Sequence, residues 1–282
     1  MYIQWSKFAI IRGSLFNINI MSSPELNIAK KAVMNAGKAI EQVIQKNELL
    51  SVNKKVANGF VEKAEEAGLT ELYFTLKKAY PEDDIQTEDK SLTENKNADR
   101  VWQIVPLDGA INLLYNIPHC AMSVTLFEKG KCKETVIYNP VTDDIANAVK
   151  GSGSFFNQHR IRFNKDLEPQ QCVVLTNKPE NGKPLAPHLL ALKNLSKQVI
   201  DVRSLGCPLL DLAYVAAGKA DAYWQSGLSH FKTAAIELLI HEASGQCLDF
   251  KAGRNYKENE QIIAGNLNNS AWIAAQLKNI YN

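Results

Sequence analysis

The sequence offers little that would tie it to a membrane, a nucleic acid or a disulfide framework. No apolar run approaches the roughly 20 residues that span a bilayer, and candidates such as residues 236–240 are short and carry charge. Neither sign of charge is in excess. Lys and Arg number 32 against 30 Asp and Glu, a net +2, which excludes nucleic-acid binding by bulk electrostatics. The five cysteines are odd in number and scattered, with no C-x-x-C pair, so reduced thiols in a cytoplasmic protein are expected. Phosphate-loop, H-E-x-x-H and G-x-S-x-G motifs are missing, which removes the nucleotide, zincin and hydrolase readings they would support. His119, His159, His188, His230 and His241 show no metal-ligand spacing. There is also no internal repeat, no Gly/Ser linker and no low-complexity tract. What remains is an ordinary globular composition, 45% hydrophobic and 22% charged over 282 residues. A chain of that length buries roughly 75% of its unfolded surface without staples.

Residues 1–20 hold short apolar pieces flanked by Lys7 and Arg12. Arg12 interrupts them and no A-x-A cleavage pattern follows, so a signal peptide is not expected. The reading is an extension outside a working domain at 21–282, with two lobes at about 21–170 and 171–282. Ser23, Pro24 and Glu25 form a helix opening, and Ala29, Ala32, Val33, Ala36, Ile40, Val43 and Ile44 recur at helical spacing. A second helix is predicted over 61–79, stopped by Pro81. A strand at 101–105 precedes an antiparallel meander: 121–127, 133–139, 144–149 and 153–156. The second half alternates strands at 173–175, 199–202, 220–224 and 262–264 with helices at 186–196, 209–217, 234–243 and 270–280. Such a mixture predicts a layered α/β (α+β) protein.

Four stretches could carry chemistry. Thr87-Glu88-Asp89 is an acidic pair after the strand-like Asp84-Ile85, and read alone it is a solvated loop. Pro106-Leu107-Asp108-Gly109 places a carboxylate at a strand's C-terminal end, a common site position in α/β proteins and equally a simple turn. Gly206-Cys207 precedes a helix whose free amides could hold an anion, although an ordinary close-packing glycine fits as well. Phe231-Lys232-Thr233-Ala234-Ala235 opens a helix ending in Glu242-Ala243-Ser244-Gly245. Lys232 is out of place there, because a helix's first turn disfavours a cation by about 0.3–1 kcal/mol. A Cys/His nucleophilic pair has no local support.

The order and spacing of these stretches resemble the inositol monophosphatase family, most closely its bacterial SuhB-type branch. The family pattern runs from an acid pair through W-x-x-D-P-L-D-G-T-x-N-F and G-S-x-A-x-x-L-x-x-V-A-x-G-x-x-D to W-D-x-A-A-G and E-A-G-G. The likeness extends to Tyr138-Asn139-Pro140 and Ile263-Ala264-Gly265-Asn266 and covers nearly all of 21–282. It implies the layered αβαβα sandwich of the sugar phosphatases. It also implies Mg²⁺-assisted phosphomonoester hydrolysis, in which clustered carboxylates hold hard cations.

Most of the implied ligands are replaced. Glu88 is retained and Asp89 stands for the second acid. Val105 replaces the bridging Asp, whereas Asp108 and the backbone of Leu107 keep their places. Ala110 replaces the Thr that helps hold the attacking water. Lys232 replaces a metal-binding Asp. Gln225 replaces an acid that contacts inositol hydroxyls, and Glu65 stands for an upstream Asp. Gly109, Ala110, Cys207 and Gln225 are thus remnant substrate positions, and Glu65 and Ala110 remnant catalytic ones. Of the four main ligand positions, two keep a carboxylate, one is neutral and one is an ammonium. The formal charge is about −1 where four carboxylates would carry −4, too little to gather two or three divalent cations.

The resulting expectation is a pseudoenzyme with, at most, weak Mg²⁺ binding. Lys232 pairs with Asp108, and with Glu88, in place of a metal. The SuhB-type resemblance implies action through protein partners in transcription antitermination and ribosomal RNA maturation, and a homodimer. Two alternatives stand beside it. One is a Mg²⁺-dependent inositol or sugar phosphate phosphatase with a reduced site. The other is a non-catalytic phosphate sensor using Lys232 and the amides near Gly109 and Cys207.

Overall fold

The structure, a computed structural model, describes residues 23–47, 54–88, 90–93, 95, 98–163 and 167–281. The expected extension at 1–20 and Asp89 lie outside the described residues. The chain opens with two long helices, α1 (Pro24–Asn47) and α2 (Lys54–Ala79). Ser23 caps α1 as its sequence predicts, the Leu26 amide donating to its Oγ at 2.8 Å. Leu26, Ala29, Ala32, Val33, Ala36 and Ile40 are all buried, one apolar stripe at helical spacing. The second helix begins earlier than position 61, at Lys54, and runs through Gly59.

Seven strands form the first sheet in sequence order: β1 (Asp84–Gln86), β2 (Arg100–Asp108), β3 (Ala121–Glu128), β4 (Lys131–Asn139), β5 (Asp144–Val149), β6 (Gly153–Phe156) and β7 (His159–Ile161). Only β1 and β2 pair in parallel, and the rest are antiparallel as the meander predicts. Between β2 and β3 the register shifts from Val105 to Asp108. Pro106 sits in that irregularity and has no amide to give the ladder. The short helix α3 (Ala110–Leu114) follows β2 directly.

The second half supplies a five-stranded sheet in the order β11-β12-β10-β8-β9. Its strands are β8 (Val173–Thr176), β9 (Asp201–Arg203), β10 (Ala222–Ser226), β11 (Gln246–Leu248) and β12 (Gln261–Gly265). Its helices are α4 (Leu185–Leu195), α5 (Pro208–Ala216), α6 (His230–Glu242) and α7 (Leu267–Leu277). Three apolar cores separate five layers. One lies between α1/α2 and the first sheet. One holds α5 and α6 between the two sheets. The last covers the far face of the second sheet with α4 and α7. The layering is αβαβα. Among the described residues no helix is long and apolar enough to cross a membrane.

One buried charge strains the first core. Glu134 of β4 is 4% exposed. Its Oε2 accepts from Ser23 Oγ at 2.6 Å, and its Oε1 is buried without a partner among the described residues. Burial lifts its carboxyl above the ordinary range, against the Ser23 hydrogen bond. An acid whose pKa is raised by folding opposes the fold at neutral pH and relents as pH falls through that raised value. Glu134→Gln is therefore expected to raise the Tm at pH 8, with the gain shrinking as the pH is lowered. A melting series from pH 8 to pH 4 checks it; an equal or lower Tm at pH 8 would contradict it.

Candidate functional site

Asp108 ends β2, and only 6% of its surface is exposed. Its Oδ2 accepts the Leu209 amide at 2.9 Å and the Cys207 thiol at 3.4 Å. Cys207 and Pro208 open α5, and the helix has no side-chain cap of its own. Asp108 fills that role from another strand, placing a carboxylate where the helix dipole favours one. Gly109 follows with φ +76°, and a side chain there would meet the His119 carbonyl, Cys207 Cβ and Cys120 Cα.

The other oxygen of Asp108 faces a cation. Lys232 Nζ lies 3.0 Å from Asp108 Oδ1 and 3.0 Å from Glu180 Oε2. Lys232 is in the first turn of α6, which starts at His230 because Ser229 Oγ caps it by accepting the Lys232 amide at 3.4 Å. Burial favours the neutral amine, but the carboxylates of Asp108 and Glu180 outweigh it and hold the ammonium above its ordinary range. They also offset the unfavourable position at a helix N-terminus.

Glu180 stands on the loop between β8 and α4. Its Oε1 accepts from Gln225 Nε2 at 3.2 Å, and Gln225 also donates to the Lys178 carbonyl at 3.1 Å. Gln225 accepts from the Tyr223 hydroxyl, which in turn accepts from Asn177 at 3.1 Å. Asn177 donates to Asp211 at 2.5 Å, and Asp211 meets His119 Nε2 at 2.6 Å. Burial raises the Asp211 carboxyl, against the hydrogen bonds from His119 and Asn177. Burial likewise pushes the Cys120 thiol up to about 12 and the Cys207 thiol well above its usual value, Asp108 adding to both. Protonated buried thiols are poor nucleophiles, so neither carries Cys/His chemistry.

Of the positions singled out in the sequence, Asp108, Gly109, Cys207, Gln225 and Lys232 come together. Ala110 begins α3 beside them. Val105 and Leu107 are buried among apolar neighbours on β2. Glu88 is exposed on the bend after β1, and Glu65 on the outer face of α2. The expected pairing of Lys232 with Glu88 is therefore corrected: Glu180 takes that place. The loop after β8 reaches the ammonium, whereas the bend after β1 turns outward and closes on itself, Thr87 and Lys90 sharing a 2.8 Å backbone hydrogen bond. Glu180 is the residue that motif reading missed. It lies 52 positions from Lys232, and the only signal for it is that a buried ammonium needs more than one carboxylate.

Among the described residues, the side chains that come together do not make the carboxylate cluster that the resemblance implies. The Val105 side chain offers no oxygen, and an ammonium sits between Asp108 and Glu180. Among the described residues no three His, Cys, Asp or Glu side chains are placed to hold a metal.

Two sheets sandwiching a helix pair, with the acid at the end of β2 capping one of those helices, define a layered αβαβα protein. The chain belongs to the inositol monophosphatase family, which it matches over residues 21–281. It is 33% identical to Nus factor SuhB of Haemophilus influenzae over 243 residues, covering 86% of this chain and 91% of that protein. It is 34% identical to Nus factor SuhB of Escherichia coli K12 over 244 residues, with the same coverage. Among solved structures, the extragenic suppressor protein SuhB of Bartonella henselae superposes with a TM-score of 0.80 at 30% identity, covering 91% of this chain and all of that one. An inositol monophosphatase of Thermotoga maritima gives 0.77 at 25% identity, covering 91% and 96%.

Proposed function

We propose that this chain is a SuhB-type member of the family that works by binding, with its metal-assisted hydrolysis lost. The observation that carries the reading is Lys232, whose ammonium lies 3.0 Å from each of two carboxylates at the heart of the site. An ammonium there repels a divalent cation, and Val105 cannot bridge one. The site's remaining hydrogen bonds run inward, to α5 and along the chain from Gln225 to His119, so what is left is a structural crosslink. The similar proteins named Nus factor SuhB support protein partners in the transcription machinery, and a role in antitermination and ribosomal RNA maturation is our reading of what such partners would serve. The near-neutral charge favours protein contacts over direct RNA contacts. A cytoplasmic homodimer is the form we propose.

The test is calorimetric titration with Mg²⁺ of the native chain and of a Val105→Asp/Lys232→Asp double variant, each followed by a phosphatase assay on inositol 1-phosphate. The expected result is no binding heat and no turnover for the native chain, and measurable binding for the double variant. Millimolar or tighter Mg²⁺ binding with turnover by the native chain would overturn the reading in favour of a phosphomonoesterase. A pull-down with purified RNA polymerase and Nus factors tests the partner class; capture by neither would remove the transcription role.

A further inference from the structure

We infer that residues 178–183 form an internal strap laid over Lys232 and Gln225, with the Glu180 carboxylate occupying the place of an incoming anion. The strap is fastened at several independent points. The Glu180 amide donates to the Ser226 carbonyl at 3.1 Å and the Lys183 amide to the Glu180 carbonyl at 3.0 Å. Asn181 Nδ2 donates to the Gly227 carbonyl at 2.8 Å. Lys183 Nζ lies 2.8 Å from Glu260 Oε2. Gly227 has φ +83°, and a Cβ there would stand 2.0 Å from the Glu180 carbonyl oxygen. Only a glycine lets the strap lie this close. Pro179 lies within the segment and Pro184 follows it, and both reduce the freedom it would gain on release.

The underside of the strap is polar and fully used. Gln225 is completely buried. Its amide nitrogen donates to Lys178 and Glu180, and its oxygen accepts from Tyr223. Lys232 has its second carboxylate from the strap. An anion arriving from solvent must displace a carboxylate of the same chain, which acts at an effective concentration in the millimolar range or above. Small phosphomonoesters below that level are shut out. With Glu180 withdrawn, Gln225 would present an amide and Lys232 an ammonium still paired on its other side with Asp108, so a phosphate would take up the one ammonium bond that Glu180 gives up. The strap is therefore an autoinhibitory contact on a latent anion subsite.

The inference rests on reading the site as an ion pair, but its test is separable from the metal titration, which reads no motion of this loop. Hydrogen exchange by mass spectrometry is followed on the full chain for the native protein, Glu180→Gln and Asn181→Ala, with and without inorganic phosphate. In the native protein the peptide containing residues 178–183 is expected to be protected well beyond the exposed turn at Lys129 and Gly130. Glu180→Gln should speed its exchange roughly tenfold or more, because a charge-assisted bond to the strap is lost. Asn181→Ala should act in the same direction, and the β3 peptide should stay unchanged in both. Phosphate should slow exchange at the N-terminal turn of α6 in Glu180→Gln and leave the native chain unaffected. Native exchange as fast as the exposed turn, or no change in Glu180→Gln, would overturn the strap. No phosphate effect in Glu180→Gln would overturn the latent anion subsite.

Discussion

Replacing Lys232 by alanine is expected to lower stability by about 3 kcal/mol, near the lower end of what breaking a buried pair costs. For a protein of this size that is a fall in Tm on the order of 10 °C. The two carboxylates do not share the cost equally. Glu180 has a third of its side chain exposed and regains water when the ammonium leaves, so its part is small. Asp108 is almost enclosed. It keeps the Leu209 amide and the Cys207 thiol as donors but loses the one cation paired with it among the described residues. Combining the change with Asp108→Asn should recover part of the loss, because the uncompensated charge then goes too. The sign of the pH dependence follows from Lys232 itself. Its pKa is raised by folding, so its stabilisation is fully present below the usual lysine value and is lost only as pH rises through the raised one. The gap between native protein and variant should hold through neutral pH and narrow only in strong alkali. Thermal melts of the three proteins check this, and a variant melting within 2 °C of the native chain would remove the ion pair as a structural element.

That ion pair ties together elements remote in sequence. Asp108 belongs to the first sheet and caps α5; Lys232 belongs to α6; Glu180 and Gln225 belong to the second sheet and its loop. One ammonium with its partners therefore links both sheets and both helices between them. In an oxygen-lined metal site the cation would make the same connection through ligand bonds. Here a side chain makes it, and the crosslink is always present.

Much of this was legible in the sequence, for identifiable reasons. Long periodic segments such as α1 and the β3–β4 hairpin declare themselves through spacing, and Ser23 through its capping chemistry. Asp108 and Lys232 stood out because a motif fixed their places and because a cation is unwelcome in a helix's first turn. Strands of three residues cannot show a period of two: β7 and β11 leave no signal, and β1 and β9 only the strand-like Asp84-Ile85 and the run 199–202. Their pairing is set by neighbours: β1 lies against β2 and β11 against β12. The start of α6 reads as 234 from apolar spacing and as Phe231 from the motif, both later than His230, although Ser229 carries the capping signal. Glu180 was invisible for a different reason. It sits in Lys178-Pro179-Glu180-Asn181-Gly182, a run that reads as turn chemistry, and its role exists only through contacts that bring distant positions together.

Gly109→Ala tests whether the end of β2 is as tightly determined as the site requires. The added Cβ would lie 2.8 Å from the His119 carbonyl oxygen, 2.9 Å from Cys207 Cβ and 3.1 Å from Cys120 Cα. Two of those neighbours are backbone and cannot rotate away. The φ of +76° adds about 1–2 kcal/mol for a residue with a side chain, and overpacking a buried contact adds about 1–3 kcal/mol. A loss of about 3 kcal/mol is expected, comparable to removing Lys232 but by a steric route. The consequence is also local. Relief of the clash pushes Cys207 and the first turn of α5 away from Asp108, lengthening the Leu209 contact and opening a path to two thiols that are completely buried in the native chain. Thiol labelling read by mass spectrometry should therefore accelerate at Cys120 and Cys207 more than at Cys247, which lies on β11 in the second sheet. Equal acceleration at all three would mean global loosening instead, and a native-like Tm would mean that the strand end yields where packing says it cannot.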